Sequence, residues 1–130
     1  MKNGFKLSAV IPATPAQVYK AWLSTKGHSA MTGSVAKASA RIGGRFTAWD
    51  GYISGRTLEL EPERRIVQAW RTSEFPDDAP DSRLEVLLEP IQTGTKVTFI
   101  HTEIPPGQEE SYKQGWEDFY FKPMKGYFSK

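Results

Sequence analysis

The stretch Gln108-Glu109-Glu110-Ser111-Tyr112-Lys113-Gln114-Gly115-Trp116-Glu117-Asp118-Phe119-Tyr120-Phe121-Lys122-Pro123-Met124-Lys125-Gly126-Tyr127-Phe128 decides the fold. At the helical advance of about 100° per residue, Tyr112, Trp116, Phe119, Tyr120, Pro123 and Tyr127 fall in one sector. Gln114, Asp118, Lys122 and Lys125 fall opposite. Glu109 and Glu110 stand at the start, with Lys122, Lys125 and Lys130 towards the end, the order that a helix dipole favours. Ile104-Pro105-Pro106-Gly107 stops the preceding element. Pro123 removes a backbone donor and predicts a bend two-thirds of the way along. So aromatic a face needs a broad cover, and the strands upstream must supply it.

Those strands are legible in the alternation. Phe5, Leu7, Ala9 and Ile11 alternate as a half-buried strand. Thr14-Pro15-Ala16-Gln17 is a helix start, with Thr14 as N-cap, Pro15 at the first helical position and Gln17 as the return partner of a capping box. Val18, Ala21 and Trp22 form that helix's inward stripe, which ends near Ser24. Thr25 to Gly33 reads as a polar segment with room for one helical turn. Val35 to Ala40 is a weak strand. Arg45 to Trp49 and Tyr52 to Glu61 form a hairpin about Asp50-Gly51. Arg65 to Ser73 follows, then the loop Phe75 to Asp81, then Leu84–Leu88 and Val97–His101 about Thr93-Gly94.

Ungapped pairing across the hairpin sets Ala48 opposite Ile53 and Phe46 opposite Gly55, with Trp49 and Tyr52 outside at the tip. Leu58 and Leu60 then read as inward, which requires a parity flip and places a bulge at or near Gly55. The order of elements predicts an α+β fold, a curved antiparallel β-sheet wrapped around a long C-terminal helix, with residues 1–130 as a single domain.

Composition narrows the function. The net charge is +2 with Lys and Arg scattered, so no basic run points to nucleic acid or to a membrane surface. No segment approaches the ~20 apolar residues of a membrane span. The opening residues read as a strand rather than a signal peptide, so the expected address is cytoplasmic. Without cysteine there is no thiolate nucleophile or thiolate metal site. Four Trp, five Tyr and seven Phe would fill a core coarsely and leave a cavity.

Signatures of phosphate-binding loops, nucleophile elbows, zinc-binding helices and dinucleotide turns are missing. His101 shares the inward parity of Val97 and Phe99. It reads either as a polar anchor in a cavity or as a buried neutral imidazole satisfied by its neighbours. His28 reads as a solvated side chain. With no inward carboxylate near either histidine, no metal site and no cofactor are expected. Gln68 points inward with Trp70, and Arg71 outward towards Glu59 or Glu61. A pocket between helix and sheet would be lined by Trp22, Phe46, Gln68, Trp70, Phe99, His101, Trp116 and Tyr120. Trp49, Tyr52, Phe121 and Phe128 fall outside and read as a partner surface, with packing of Phe121 on residues 25–33 and a frayed end at Phe128 as the alternative.

Gly43-Gly44-Arg45-Phe46, Asp50-Gly51-Tyr52-Ile53-Ser54-Gly55, Leu58-Glu59-Leu60-Glu61-Pro62, Arg65-Ile66-Val67-Gln68-Ala69-Trp70-Arg71 and Gln114-Gly115-Trp116-Glu117-Asp118-Phe119-Tyr120 occur in order, with characteristic spacing. Together they resemble the activator of heat-shock protein 90 ATPase homologue family, a branch of the START-like (SRPBCC) superfamily. The resemblance implies a helix-grip fold and two precedents. One is a non-enzymatic, stress-related, chaperone-associated module with heat-shock protein 90 as partner. The other is a carrier or sensor for an apolar small molecule held between the C-terminal helix and the sheet. No catalytic residue carries over. An enzyme built on His101 is the third and weakest reading.

Overall fold

The computed structural model describes residues 3–129, so Met1, Lys2 and the Lys130 end of the charge order lie outside it. The elements run β1 (Phe5–Ile11), α1 (Pro15–Trp22), α2 (Thr25–Thr32), β2 (Arg45–Ala48), β3 (Ile53–Glu61), β4 (Arg65–Thr72), β5 (Ser82–Ile91) and β6 (Gly94–Thr102). A closing helix follows in three parts: α3 (Glu109–Trp116), a π-helical turn (Glu117–Phe121) and α4 (Lys122–Phe128). The strands make one six-stranded antiparallel sheet in the order β1-β6-β5-β4-β3-β2. The closing helix lies on one face of it: Trp116 meets Trp70 of β4 at 5.4 Å and Phe99 of β6 at 4.6 Å.

Local chemistry accounts for the first helix. The Thr14 hydroxyl accepts from the Gln17 amide, and the Gln17 side chain accepts from the Thr14 amide. Both halves of the capping box are therefore made. The segment after it is a full helix rather than one turn: α2 is capped by Ser24 and ended by Gly33 in the left-handed conformation, and it buries His28, Met31 and Thr32. The expected strand at 35–40 contracts to one bridge, Lys37 to Thr47.

The β2–β3 hairpin has the expected register, Phe46 opposite Gly55 and Ala48 opposite Ile53. The bulge lies later than expected, between Thr57 and Glu59. Gly55 pairs regularly because its missing side chain lets Phe46 and the Ala69 carbonyl approach; a Cβ there would overlap both. Thr57 therefore faces inward, Leu58 is the exposed bulge residue, and Leu60 packs against the core.

The largest departure lies in the closing helix. The Lys122 amide bonds the Glu117 carbonyl, an i to i+5 step, directly before Pro123. One extra residue in that turn advances the phase by about 100°. Phe121 and Met124 thereby rotate into the core at 0% exposure, while Phe119 (55%) and Tyr127 (37%) turn out. A regular helix would have done the reverse. Phe121 stacks on Phe99 with ring centroids 4.7 Å apart and planes 4° from parallel. It is thus a core residue and not part of an exposed partner surface. Phe128 is half-buried against the core and edge-on to Tyr127.

Candidate functional site

The space between the closing helix and the sheet is occupied by rings. Trp22 lies 5.6 Å from Phe99, 5.1 Å from Tyr120 and 6.3 Å from Trp116, and Trp116 lies 4.8 Å from Tyr120. Among the expected pocket residues, Trp22, Phe46, Gln68, Phe99 and His101 are all buried here as packing. Gln68 is committed: its amide oxygen accepts from the Trp22 indole and its nitrogen donates to Thr57.

His101 is also spoken for. The indole Nε1–H of Trp116 donates to its Nδ1 at 3.0 Å, so the imidazole proton sits on Nε2. That proton is donated to Ser82 Oγ at 2.8 Å, and the Ser82 hydroxyl donates to the Trp70 carbonyl, also at 2.8 Å. Burial pushes the His101 pKa down to about 3. The imidazole keeps no lone pair for a substrate, and the serine proton is already given away. A nucleophile and base would need the opposite polarity. The buried neutral imidazole is the arrangement found.

His28, expected in solvent, is the second buried imidazole. A carbonyl can only accept, so Nδ1–H donates to Trp22 O at 2.9 Å, and Nε2 accepts from the Tyr120 hydroxyl at 2.7 Å. Burial lowers the His28 pKa, with its backbone hydrogen bond opposing, and burial raises that of Tyr120. The signal available in the sequence was the Ser24 and Gly33 pair bracketing an eight-residue helix.

Open space lies at the helix's other flank. A groove of about 420 Å³ runs between the β2–β3 hairpin tip and α3, lined by Trp49, Tyr52, Ile53, Trp70, Ser111, Tyr112, Gly115, Trp116, Phe119 and Tyr120. It unites three of the expected pocket residues (Trp70, Trp116, Tyr120) with two of the expected partner residues (Trp49, Tyr52). The hairpin tip supplies its rim through an unusual backbone. Trp49 takes φ 53° and Asp50 φ 56°, a left-handed conformation disfavoured for a bulky residue. It brings the Trp49 indole edge-on to Phe119 at 5.4 Å. Trp49 Nε1 is buried with no partner at hydrogen-bonding geometry among the described residues; the Tyr120 hydroxyl lies on its side, and the indole opposes the larger effect of burial on that phenol.

The opposite rim is tied down by hydroxyls. Tyr112 donates to Gln108 Oε1 at 2.6 Å and lies 2.7 Å from Thr72 Oγ1, Gln108 donates to the Glu74 carbonyl, and Tyr52 donates to the Glu74 carboxylate. Burial, then Glu74, push the Tyr52 pKa up to about 12. Phe75 packs behind this rim, 6.1 Å from Trp70 and 5.9 Å from Tyr112. Arg71 does not reach Glu59 or Glu61; it bonds Asp81 and the Pro76 and Ala79 carbonyls, and lies over the Phe75 ring. Arg65 takes the expected ladder instead, bonding Glu59, Glu61 and Glu85.

Among the described residues no cluster of three or more His, Asp or Glu is placed to hold a metal, and no helix is long and apolar enough to cross a membrane. The groove presents aromatic faces, with the Trp49 indole N–H buried behind them and a rim of phenols whose hydroxyls are already bonded.

Comparison with known proteins places this geometry. The sequence model of the family described as Activator of Hsp90 ATPase homolog 1-like protein matches residues 12–129. The human Activator of 90 kDa heat shock protein ATPase homolog 1 is 29% identical over 115 residues, covering 88% of this chain and 34% of that protein. The mouse Activator of 90 kDa heat shock protein ATPase homolog 2 is 28% identical over 120 residues, covering 92% and 36%. The chain thus spans about a third of the length of these curated relatives. An HSP90 activator from Plasmodium falciparum has the same fold, with a TM-score of 0.87, 21% identity, and coverage of 97% of this chain and 96% of that one. A protein from Chromobacterium violaceum gives a TM-score of 0.75 at 28% identity, covering 100% and 99%.

Proposed function

From the premise that the chain belongs to the family of Activator of Hsp90 ATPase homolog 1-like proteins, we propose that it is a non-enzymatic binding module that associates with heat-shock protein 90 in the cytoplasm. Residues 1–130 act in this reading as one unit. The observation that carries it is the aromatic groove between the hairpin tip and α3, where Trp49 holds a strained backbone with an unpartnered N–H. Aromatic side chains in a desolvated depression supply most of the energy of protein interfaces. The locked proton positions of His101 and Ser82 favour a binding role over a catalytic one.

The test uses a substitution that fills the groove from its floor. Gly115 sits in mid-helix, and a Cβ there would meet only the Phe119 ring, at 3.9 Å. Gly115→Leu should keep the fold and abolish calorimetric binding to the host's own heat-shock protein 90, and Trp49→Ala should weaken it. Unchanged binding by both variants would remove the groove from the reading; no binding by the unaltered protein would remove the chaperone.

The size of the groove favours one further reading, an apolar aromatic small molecule as occupant. A volume of about 420 Å³ falls within the ordinary range of ligand pockets. Such compounds should raise the melting temperature of the unaltered protein and leave that of Gly115→Leu unmoved. A broad aromatic library without effect on the unaltered protein would end this reading and leave the chaperone one standing.

A further inference from the structure

The outward face of the sheet, away from the closing helix, carries a row of cations unrelated to the groove. Arg45 of β2 sits directly opposite Arg56 of β3. Arg56 is opposite Ala69 of β4, and Ala69 opposite Arg83 of β5. Each alternates with inward neighbours such as Phe46, Thr57, Trp70 and Leu84, so the row lies on the outward face. Lys37, bridged to Thr47, adds a cation at the β2 edge.

Among the described residues nothing neutralises the β2 end of this row. Lys37, Arg45 and Arg56 are exposed, and among the described residues none of them forms an ion pair. Arg83 reaches Glu59 only at 3.9 Å, while Glu59 stands 2.8 Å from Arg65. Like charges directly opposite each other weaken an antiparallel pair. The facing Arg45 and Arg56 therefore oppose the fold instead of supporting it.

We propose that this row docks an acidic segment of a partner polypeptide, its carboxylates bridging Arg45, Arg56 and Arg83. Facing side chains stand about 5 Å apart, and Arg83, two strands beyond Arg56, lies roughly 10 Å away. Carboxylates two apart on an extended chain, or four apart on a helix, repeat at about 5–7 Å and match that row. The next rung decides against a long polyanion. Glu59 and Glu85, held by Arg65, line the flank of the row, so a duplex or an anionic bilayer would press phosphates against carboxylates. A short acidic segment lying along the row avoids them.

The experiment measures anisotropy of a fluorescein-labelled glutamate-rich peptide against the full chain. Arg45→Glu/Arg56→Glu should weaken binding by about tenfold or more. Lys20→Glu/Lys26→Glu changes the net charge equally on exposed positions of α1 and α2 and should leave binding nearly unchanged. Binding of the unaltered protein should fall as salt rises. Arg45→Gln/Arg56→Gln gives the same reading should the Glu variant fold poorly. No peptide binding, equal loss in both charge-reversed variants, or tighter binding of duplex DNA or phosphatidylserine vesicles than of peptide would each overturn the proposal.

Discussion

Replacing Phe121 with alanine should destabilise the protein far more than replacing Phe119, although the two are two residues apart on one helix. Phe121 is fully buried and stacked on Phe99, whereas Phe119 is 55% exposed. A buried phenylalanine removes at least 150 Å² from water, worth roughly 4 kcal/mol at about 25 cal/mol per Å². Alanine recovers little of this in a core of rings, so Phe121→Ala should cost about 3–5 kcal/mol. Phe119→Ala loses one edge contact with Trp49 and should cost about 1 kcal/mol or less. Urea denaturation followed by far-ultraviolet circular dichroism, at matched m-values, reads both free energies. An unbroken α-helix would bury Phe119 and expose Phe121, so the two costs would exchange places. That exchange, or a cost below about 1 kcal/mol for Phe121→Ala, would refute the π-helical phase change and the packing built on it.

Acid should unfold the protein early. The folded His101 pKa, about 3, lies below its ordinary value of 6.5, so beneath pH 6.5 the unfolded chain takes a proton that the folded one refuses. Its stabilisation is complete above that pH and falls by about 1.4 kcal/mol per pH unit as the pH drops towards 3. His28 shifts the same way. Melting temperatures between pH 6.5 and 5 should drop less steeply in His101→Gln, and equal slopes would contradict the buried neutral imidazole. Gly55→Ala should cost about 2 kcal/mol or more, since its Cβ would overlap the Ala69 carbonyl and stand 2.7 Å from the Phe46 ring; a melting temperature at the parent value would disprove the close approach. Trp49→Phe removes the unpartnered N–H while keeping an aromatic ring, so its denaturation free energy should hold or rise by about 1 kcal/mol. A clear loss would mean that the indole N–H has a partner after all.

The fold was legible wherever a short-range rule acts without competition. Asp50-Gly51 set the hairpin register, and Thr14-Pro15-Gln17 set the first helix, because turn and cap chemistry are local. The second helix was read as no more than one turn because its only strong signals are its two caps; its interior, with Gly27 and Ser29, is weakly amphipathic. The bulge was misplaced because a strand glycine has two uses, irregular pairing and close approach, and Gly55 serves the second. The face of the closing helix was read correctly at Tyr120 but misread at Phe119, Phe121 and Tyr127, because a period of 3.6 assumes unbroken i to i+4 bonding. Pro123 signalled a bend, but whether the freed carbonyl is met by a kink or by a π turn depends on what Phe121 and Met124 find beneath them.

The same dependence explains the mixed outcome for the site. Strand parity turned Phe99 and His101 inward, and helical spacing Trp22 and Trp116, as the structure has them, but facing inward does not make a residue line a space. Rings within 4.6–6.3 Å of one another leave the centre filled. Room survives where the helix presents Gly115, and there the cause is not conformational, since a Cβ would meet little more than a ring at 3.9 Å. Glycine inside a helix destabilises it by about 1 kcal/mol relative to alanine. At position 115 the gain lies outside the core: a missing side chain on the groove floor, framed by Trp49, Tyr112, Trp116 and Phe119. The helix thus gives up local stability at the point where the surface opens, while a few residues further on the π turn brings Phe121 inward to seal the core. Filling and opening are two results of how one helix is phased, and the aromatic groove follows from that phase.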